Sequence, residues 1–143
     1  MKNTLCAAAM TLVALVGLST SAYSQAGLLT GGAEELPPIT LSSGKPLVDK
    51  PYELKAGKFY ELIIQADGSA ELALSGAEFF RNVWINEVVI NDIEIRPIGI
   101  DSFEFDDAGE LEMDFIPIRP GRFVLRIPGT TGETQQAIFN VTD

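Results

Sequence analysis

Apolar and polar residues alternate along most of the chain, which is the pattern of β-strands with one face against a core and the other in water. The clearest case is ELEMDF, residues 110–115, where three apolar side chains point one way and three acidic ones the other. Residues 60–66, 93–96 and 122–127 repeat the alternation, and turns containing Gly, Asp or Asn separate these segments. About eight short strands in roughly 100 residues predict an all-β, Greek-key sandwich with antiparallel or mixed pairing.

The alternation also predicts which side chains face the core. Ile93 and Ile95 are predicted to point inward from one short strand. Phe115 and Phe123 are predicted to face the core from either side of the corner Pro120-Gly121, which would carry the chain from one sheet to the other. Large apolar residues at these positions would supply much of the core of a domain of this size.

The N-terminal residues have the features of an export signal. Lys2 precedes an uncharged apolar run over residues 5–18, and small residues follow at the spacing for cleavage after Ala26 or, as the alternative, after Ser24. The run is shorter than the roughly 20 residues that cross a bilayer. Residues 1–26 are therefore predicted to be a signal peptide, which implies a periplasmic or secreted bacterial protein with no membrane span after cleavage.

The rest of the chain divides into a short leader and one domain. Residues 27–37 are small, Gly-rich and acidic and are predicted to be flexible, whereas residues 38–143 carry the strand pattern. The full chain has 10 basic and 20 acidic residues, and loss of Lys2 with the signal leaves a net charge of 9 − 20 = −11. This charge excludes nucleic acid as a partner and favours cations or a protein with a basic surface.

The residue types exclude several kinds of chemistry. The chain has no histidine, and its one cysteine, Cys6, lies in the predicted signal peptide. The mature chain would therefore have no disulfide, and a nucleophilic serine or cysteine would lack its usual base. We expect a protein that is not an enzyme.

Four segments, in order along the chain, carry a resemblance to a known family. They are YELKAGKFYELIIQ, EVVINDIEI, FEFDDAGELEMDFIPIRPGRFVLRI and PGTTGETQQAIFNV. Together these segments resemble the cupredoxin-like domains of exported bacterial proteins. The shared features are a strand pair around a glycine turn, a tight hairpin, a proline corner, and a last loop and strand. The resemblance covers about residues 44–141 and implies a Greek-key sandwich.

The same resemblance implies where copper would bind. In that family two histidines, a cysteine and usually a methionine hold type 1 copper. The first histidine would correspond to the neighbourhood of Asn86 and Glu87, the cysteine to that of Ile127, and the other two ligands to residues 130–136. None of these positions offers a thiolate or an imidazole, which type 1 copper requires. The resemblance thus implies the fold without the blue-copper cofactor.

One candidate partner-binding site lies in the stretch EFFRNVWINE. Phe79, Phe80, Arg81 and Trp84 have the composition of a protein-binding surface. Adjacent residues of a strand face opposite ways, so one of the two phenylalanines is expected to be exposed. The competing interpretation is that the aromatic residues are buried, with Trp84 at the centre of the sandwich.

A candidate metal site lies in the acidic stretch that follows. Glu104, Asp106, Asp107 and Glu110 surround one turn, where their carboxylates could bind a hard cation such as calcium. Their spacing does not match a helix-loop-helix calcium loop, and the preferred interpretation is ordinary surface carboxylates around a turn.

These observations predict an exported, non-catalytic cupredoxin-like binding or accessory module. Its partner would be a periplasmic protein with a basic surface, in a redox or metal-handling system. The alternatives are a carboxylate metal-binding protein that uses the Glu104–Glu110 turn, and a structural or adhesion-type sandwich that binds through strand edges and the surface of residues 79–84. The vacated copper end of the sandwich is expected to bring together residues 79–84, Asn86-Glu87 and the loop 128–136.

Overall fold

Two facing β-sheets are formed by the residues that the structure, a computed structural model, describes, namely Leu29 and residues 31–143. The predicted signal peptide lies outside the described residues. Within that part of the chain, no helix has the length and apolar character that a membrane crossing requires.

The described chain forms eleven strands and one four-residue helix. In chain order they are β1 (Glu34–Glu35), β2 (Ile39–Leu41), β3 (Tyr52–Lys55), β4 (Tyr60–Ala66), β5 (Leu72–Ser75), α1 (Ala77–Phe80), β6 (Val83–Ile90), β7 (Ile93–Ile95), β8 (Ser102–Phe105), β9 (Gly109–Pro117), β10 (Gly121–Arg126) and β11 (Gln136–Thr142). A single 3-10 turn, Glu133–Gln135, precedes β11. The prediction of an all-β sandwich is confirmed, with more strands than the eight or so expected.

The two sheets have mixed strand directions. The first has the order β1-β4-β9-β6-β7, and β2 also lies beside β4; the second has the order β3-β11-β10-β5-β8. Three pairings are parallel, β1 with β4, β2 with β4, and β3 with β11, and the other pairings are antiparallel. β9 lies between β4 and β6, so its outward side chains have strand neighbours on both sides.

The core lies between the sheets and follows the predicted alternation. Phe115 on β9 is fully buried and Phe123 on β10 is 6% exposed, which confirms that both face the core. The ring of Phe115 lies 5.9 Å from that of Tyr60 on β4 and 5.5 Å from that of Phe79 on α1. Such aromatic contacts add specific geometry to a large buried apolar area.

The second half of the predicted leader belongs to the first sheet. Glu34 and Glu35 pair with Tyr60 and Glu61 at the edge of β4, and Lys58 forms an ion pair with Glu34. Proline residues lie between β1 and β2 at this edge. A proline has no amide hydrogen to donate to a neighbouring strand, and at the edge of a sheet it is therefore tolerated. The sheet therefore begins earlier in the chain than the composition of residues 27–37 predicted.

The predicted inward placement of Ile93 and Ile95 is wrong. Ile93 is 64% exposed and Ile95 is 44% exposed, although Val88, opposite Ile95, is 3% exposed and belongs to the core. β7 is the outermost strand of its sheet, so side chains on the core-facing side of this strand lie beyond the cover of the second sheet. An apolar side of the sheet is therefore open to solvent at this edge.

Candidate functional site

The two phenylalanines of the predicted partner-binding site are both in the core. Phe79 is fully buried and Phe80 is 8% exposed, because residues 77–80 form a helical turn instead of the strand that the sequence suggested. A turn of helix places neighbouring residues about 100° apart, so both rings reach the interior. The expectation that one of them is exposed is therefore wrong.

The other two members of that site do not form a surface with them. Arg81 is exposed and lies 3.4 Å from the carboxylate of Glu78, an exposed pair of small energetic value. Trp84 is 48% exposed, so it is not the central aromatic residue of the sandwich. Its indole borders an open cavity together with Gly57 and Pro117. The four predicted residues are thus divided between core and solvent.

The regions expected to meet at the vacated copper end lie at opposite ends of the sandwich. Val83, next to Trp84, pairs with Pro117, and the amide of Gly57 donates to the Pro117 carbonyl at that end. The loop 128–136 lies at the other end, where Arg126 pairs with Gln136. The expectation of one shared surface is wrong because β10 carries the chain from Gly121, at the Pro117 end, to Arg126 at the other end, where the loop begins.

The residues at the expected copper-ligand positions do not fit type 1 copper. Ile127 is partly buried against the core, and its carbonyl accepts a hydrogen bond of 2.7 Å from the Thr130 hydroxyl. The guanidinium of Arg126 donates to the carbonyls of Thr130 and Gly132, at 3.4 and 3.3 Å, and thereby closes the loop on itself. No thiol or imidazole is available after residue 26, so the donor set cannot supply the soft ligands that this centre needs.

The four acidic residues of the predicted metal turn lie around one shallow cavity of about 390 Å³. Carboxylate oxygens of Glu104 and Asp106 approach within 4.8 Å of each other and of Glu71, whereas Asp107 accepts a hydrogen bond from the Ala108 amide. All of these side chains are exposed. Water and salt screen the repulsion between exposed carboxylates, so their proximity alone does not indicate a bound ion.

A second group of carboxylates, which sequence reasoning did not single out, lies on the outer face of the first sheet. We call Glu61, Glu87, Glu112 and Asp114 the acidic row. Asp114 on β9 stands directly between Glu61 on β4 and Glu87 on β6, and Glu112 lies two residues before it on the same strand face. Like charges directly opposite each other in a sheet destabilise it, so this arrangement requires an explanation.

A β-bulge brings Glu87 into the acidic row. The pairing of β6 with β9 shifts register between Ile85 and Glu87, so Asn86 has no partner across the ladder. Strict alternation from Trp84 would turn Glu87 toward the core, and the extra residue turns it outward to Asp114. The guanidinium of Arg96 approaches Glu87 to 2.6 Å between Nη1 and Oε2, an ion pair without hydrogen-bond geometry.

Asp114 is the least solvated member of the acidic row. Its side chain is 8% exposed, and its Oδ1 is buried without a hydrogen-bond partner in the described part of the chain. Burial, followed by the charges of Glu112, Glu87 and Glu61 and a contact with Glu87, raises the pKa of Asp114 to about 6. Burial, then the charges of Glu112 and Glu35, also raises the pKa of Glu61.

The sequence did hold a signal for the acidic row. Glu61 alternates outward between Tyr60 and Leu62, and Glu112 and Asp114 alternate outward on the most regular strand of the chain. Pairing these two strands would have placed the acids side by side. The bulge that adds Glu87 could not have been anticipated from alternation alone.

Comparison with known proteins gives a similarity of structure only. No family model matches the sequence, and no curated protein matches it. A multicopper oxidase from Campylobacter jejuni matches 78% of this chain with a TM-score of 0.53 and 10% identity, over 31% of its own length. A multi-copper oxidase from Pseudomonas thermotolerans gives a TM-score of 0.55 and 15% identity over 79% of this chain and 30% of its own.

A copper nitrite reductase from Nitrosomonas europaea gives a TM-score of 0.52 and 14% identity, over 66% of this chain and 33% of its own. The chain thus spans about a third of the length of these solved structures. Identities this low carry information on fold and none on chemistry. The chain is a two-sheet β-sandwich with the cupredoxin-like fold.

Proposed function

We propose that this chain is an exported, non-catalytic binding module that works through the free edge of the first sheet and without type 1 copper. The observation that carries the proposal is the apolar strip, which we define as Ile90, Ile93, Ile95 and Ile98. These four side chains are 36%, 64%, 44% and 109% exposed and lie along or just after the β6–β7 hairpin. Contiguous exposed apolar residues are typical of interaction sites.

The backbone of β7 supports the same proposal. Among the residues that the structure describes, β7 pairs with β6 on one side only, so its other side presents free amide and carbonyl groups. An extended segment of a partner can add to such an edge, with ladder hydrogen bonds for affinity and the isoleucines for side-chain contacts. The net charge of −11 after residue 26 favours a partner with a basic surface. A role in an exported redox or metal-handling system is supported by fold similarity alone.

A photo-crosslinking residue in place of Ile93 is expected to give one defined adduct in cells, which mass spectrometry can identify. The same residue in place of Ile118, which is 58% exposed outside the apolar strip, is the matched control and is expected to give none. Adding Ile95→Lys should reduce the adduct at least tenfold and leave the melting temperature unchanged, since exposed substitutions change stability by at most about 0.5 kcal/mol. Equal, diffuse labelling from both positions would contradict the proposal.

Addition of Cu(II) to the purified mature protein is expected to give no intense blue absorption band. That band arises from a copper–thiolate bond, and no cysteine follows Cys6. Absorption spectroscopy with a copper-loaded blue-copper protein as the positive control makes the measurement. An intense blue band in this protein would mean that our assignment of ligand positions is wrong.

A further inference from the structure

We infer that the acidic row is a binding site for one hard divalent cation of the calcium class, held by Glu61, Glu112 and Asp114 on the outer face of the first sheet. This site is independent of the apolar strip and of the copper positions of the fold. It also differs from the exposed acidic turn that the sequence suggested.

The three carboxylates have the spacing that a shared ion requires. One oxygen from each lies within 4.8 Å of the other two. Two oxygens that are each about 2.4 Å from one calcium ion can be at most about 4.8 Å apart. Glu61 and Glu112 are only partly buried, so water can complete the six to eight oxygen ligands that calcium takes. Three carboxylates and water form a donor set for calcium, magnesium or manganese rather than for soft metals.

Asp114 gives the second, independent indication of a ligand. Its Oδ1 is buried without a partner among the described residues, and one of its two carboxylate oxygens lies in the group with Glu61 and Glu112. A buried polar atom that makes no hydrogen bond is costly, and natural proteins rarely keep one unless water, an ion or a function accounts for it. The exposed group of Glu71, Glu104 and Asp106 has no such atom.

The charge around Asp114 is also uncompensated. The four carboxylates of the acidic row and that of Glu35 interact here, and the one cation beside them is the guanidinium of Arg96. Arg96 pairs with Glu87 and Glu94, and within the described residues no Lys or Arg forms an ion pair with Glu61, Glu112 or Asp114. A divalent cation bound among these carboxylates would offset the repulsion.

The chain contains its own reporter for this site. Trp84 is the only tryptophan, and its partner Ile116 follows Asp114 by two residues on the same face of β9. At about 3.4 Å per residue, the indole is attached about 7 Å along the strand from the proposed ion. Terbium(III), which also prefers oxygen ligands, would therefore be excited by energy transfer from Trp84.

Titration of the mature protein with Tb³⁺ at neutral pH is expected to give saturable luminescence at one ion per chain, which Ca²⁺ displaces. Asp114→Asn keeps the shape of the side chain and should weaken binding at least tenfold. Asp106→Asn, the matched control in the exposed turn, should bind as the parent does. Trp84→Phe should lose the luminescence and keep the displacement of Tb³⁺ by Ca²⁺ as measured by calorimetry.

The melting temperature gives a readout that separates a cation site from a merely structural role. Ca²⁺ should raise the melting temperature of the parent and leave that of Asp114→Asn unchanged, while in chelator the variant should melt higher than the parent. Loss of binding in Asp106→Asn with retention in Asp114→Asn would overturn the inference, since the ion would then be in the exposed turn. Absence of saturable binding, or stabilisation by a lysine-rich peptide but not by Ca²⁺, would overturn it as well.

Discussion

Replacing Phe79 by alanine is expected to lower the free energy of unfolding by about 3 to 5 kcal/mol, the usual range for a buried phenylalanine. The ring lies 4.3 Å from that of Phe139 on β11 and 5.5 Å from that of Phe115 on β9, so it joins the two sheets. Alanine would leave a cavity between the two sheets that the surrounding strands can close only in part. Since domains are stable by only about 5 to 15 kcal/mol, the effect would be severe.

Urea denaturation monitored by far-UV circular dichroism measures this change. The control is Arg81→Ala, two residues away, which removes an exposed side chain and should change stability by no more than about 0.5 kcal/mol. Equal stability of Phe79→Ala and the parent, or strong destabilisation by Arg81→Ala, would contradict the buried position of α1.

In the absence of divalent cations, the domain is expected to lose stability as the pH rises from about 4 to about 7, which is the opposite of ordinary acid denaturation. The pKa of Asp114 is about 6 in the folded chain and 3.8 as its ordinary value. Between these values the folded state binds more protons than the unfolded state, so protonated Asp114 stabilises the fold at low pH and this stabilisation is lost as the carboxyl ionises. A pKa raised from 3.8 to about 6 corresponds to at most about 3 kcal/mol of stability. Because the neighbouring acids are partly solvated, the expected loss is about 1 to 3 kcal/mol.

The measurement is urea denaturation in chelator at about pH 5 and about pH 7.5, for the parent and for Asp114→Asn. The variant should be more stable than the parent at the higher pH, and the two should differ much less at the lower pH. Asp67 does not interfere, because hydrogen bonds from Ser42 and Ser69 lower its pKa to about 2 and its contribution is already complete at pH 5. An equal difference between parent and variant at both pH values would mean that Asp114 does not titrate in this range.

Residue types and alternation predicted the parts of the molecule that depend on one strand at a time. The polarity pattern predicts which side chains of β9 face the core and that Phe123 is buried, because a pleated strand next to a core must bury one face. The unsuitability of the chain for type 1 copper follows from composition alone. The helical turn with Phe79 was missed because four residues are too few to show a helical period.

The remaining errors concern neighbours across strands. Alternation says which face of β7 is apolar but not that β7 is outermost, and so it could not reveal that Ile93 and Ile95 are exposed. It likewise treated Asp114 as an ordinary solvated residue of the outer face. The acidic row depends on strand order and on the bulge at Asn86, and neither is encoded in the polarity of a single segment.

The position of β11 between β3 and β10 sets the order in which the sandwich can assemble. The side chains of Asn140 and Glu53, which are hydrogen-bonded across the pair of β11 and β3, are 87 residues apart in the sequence. The second sheet therefore stays in two pieces until residues 136–142 have left the ribosome. Contacts between such distant residues make folding slow, so we expect closure of the second sheet to be the slow step in folding of the sandwich.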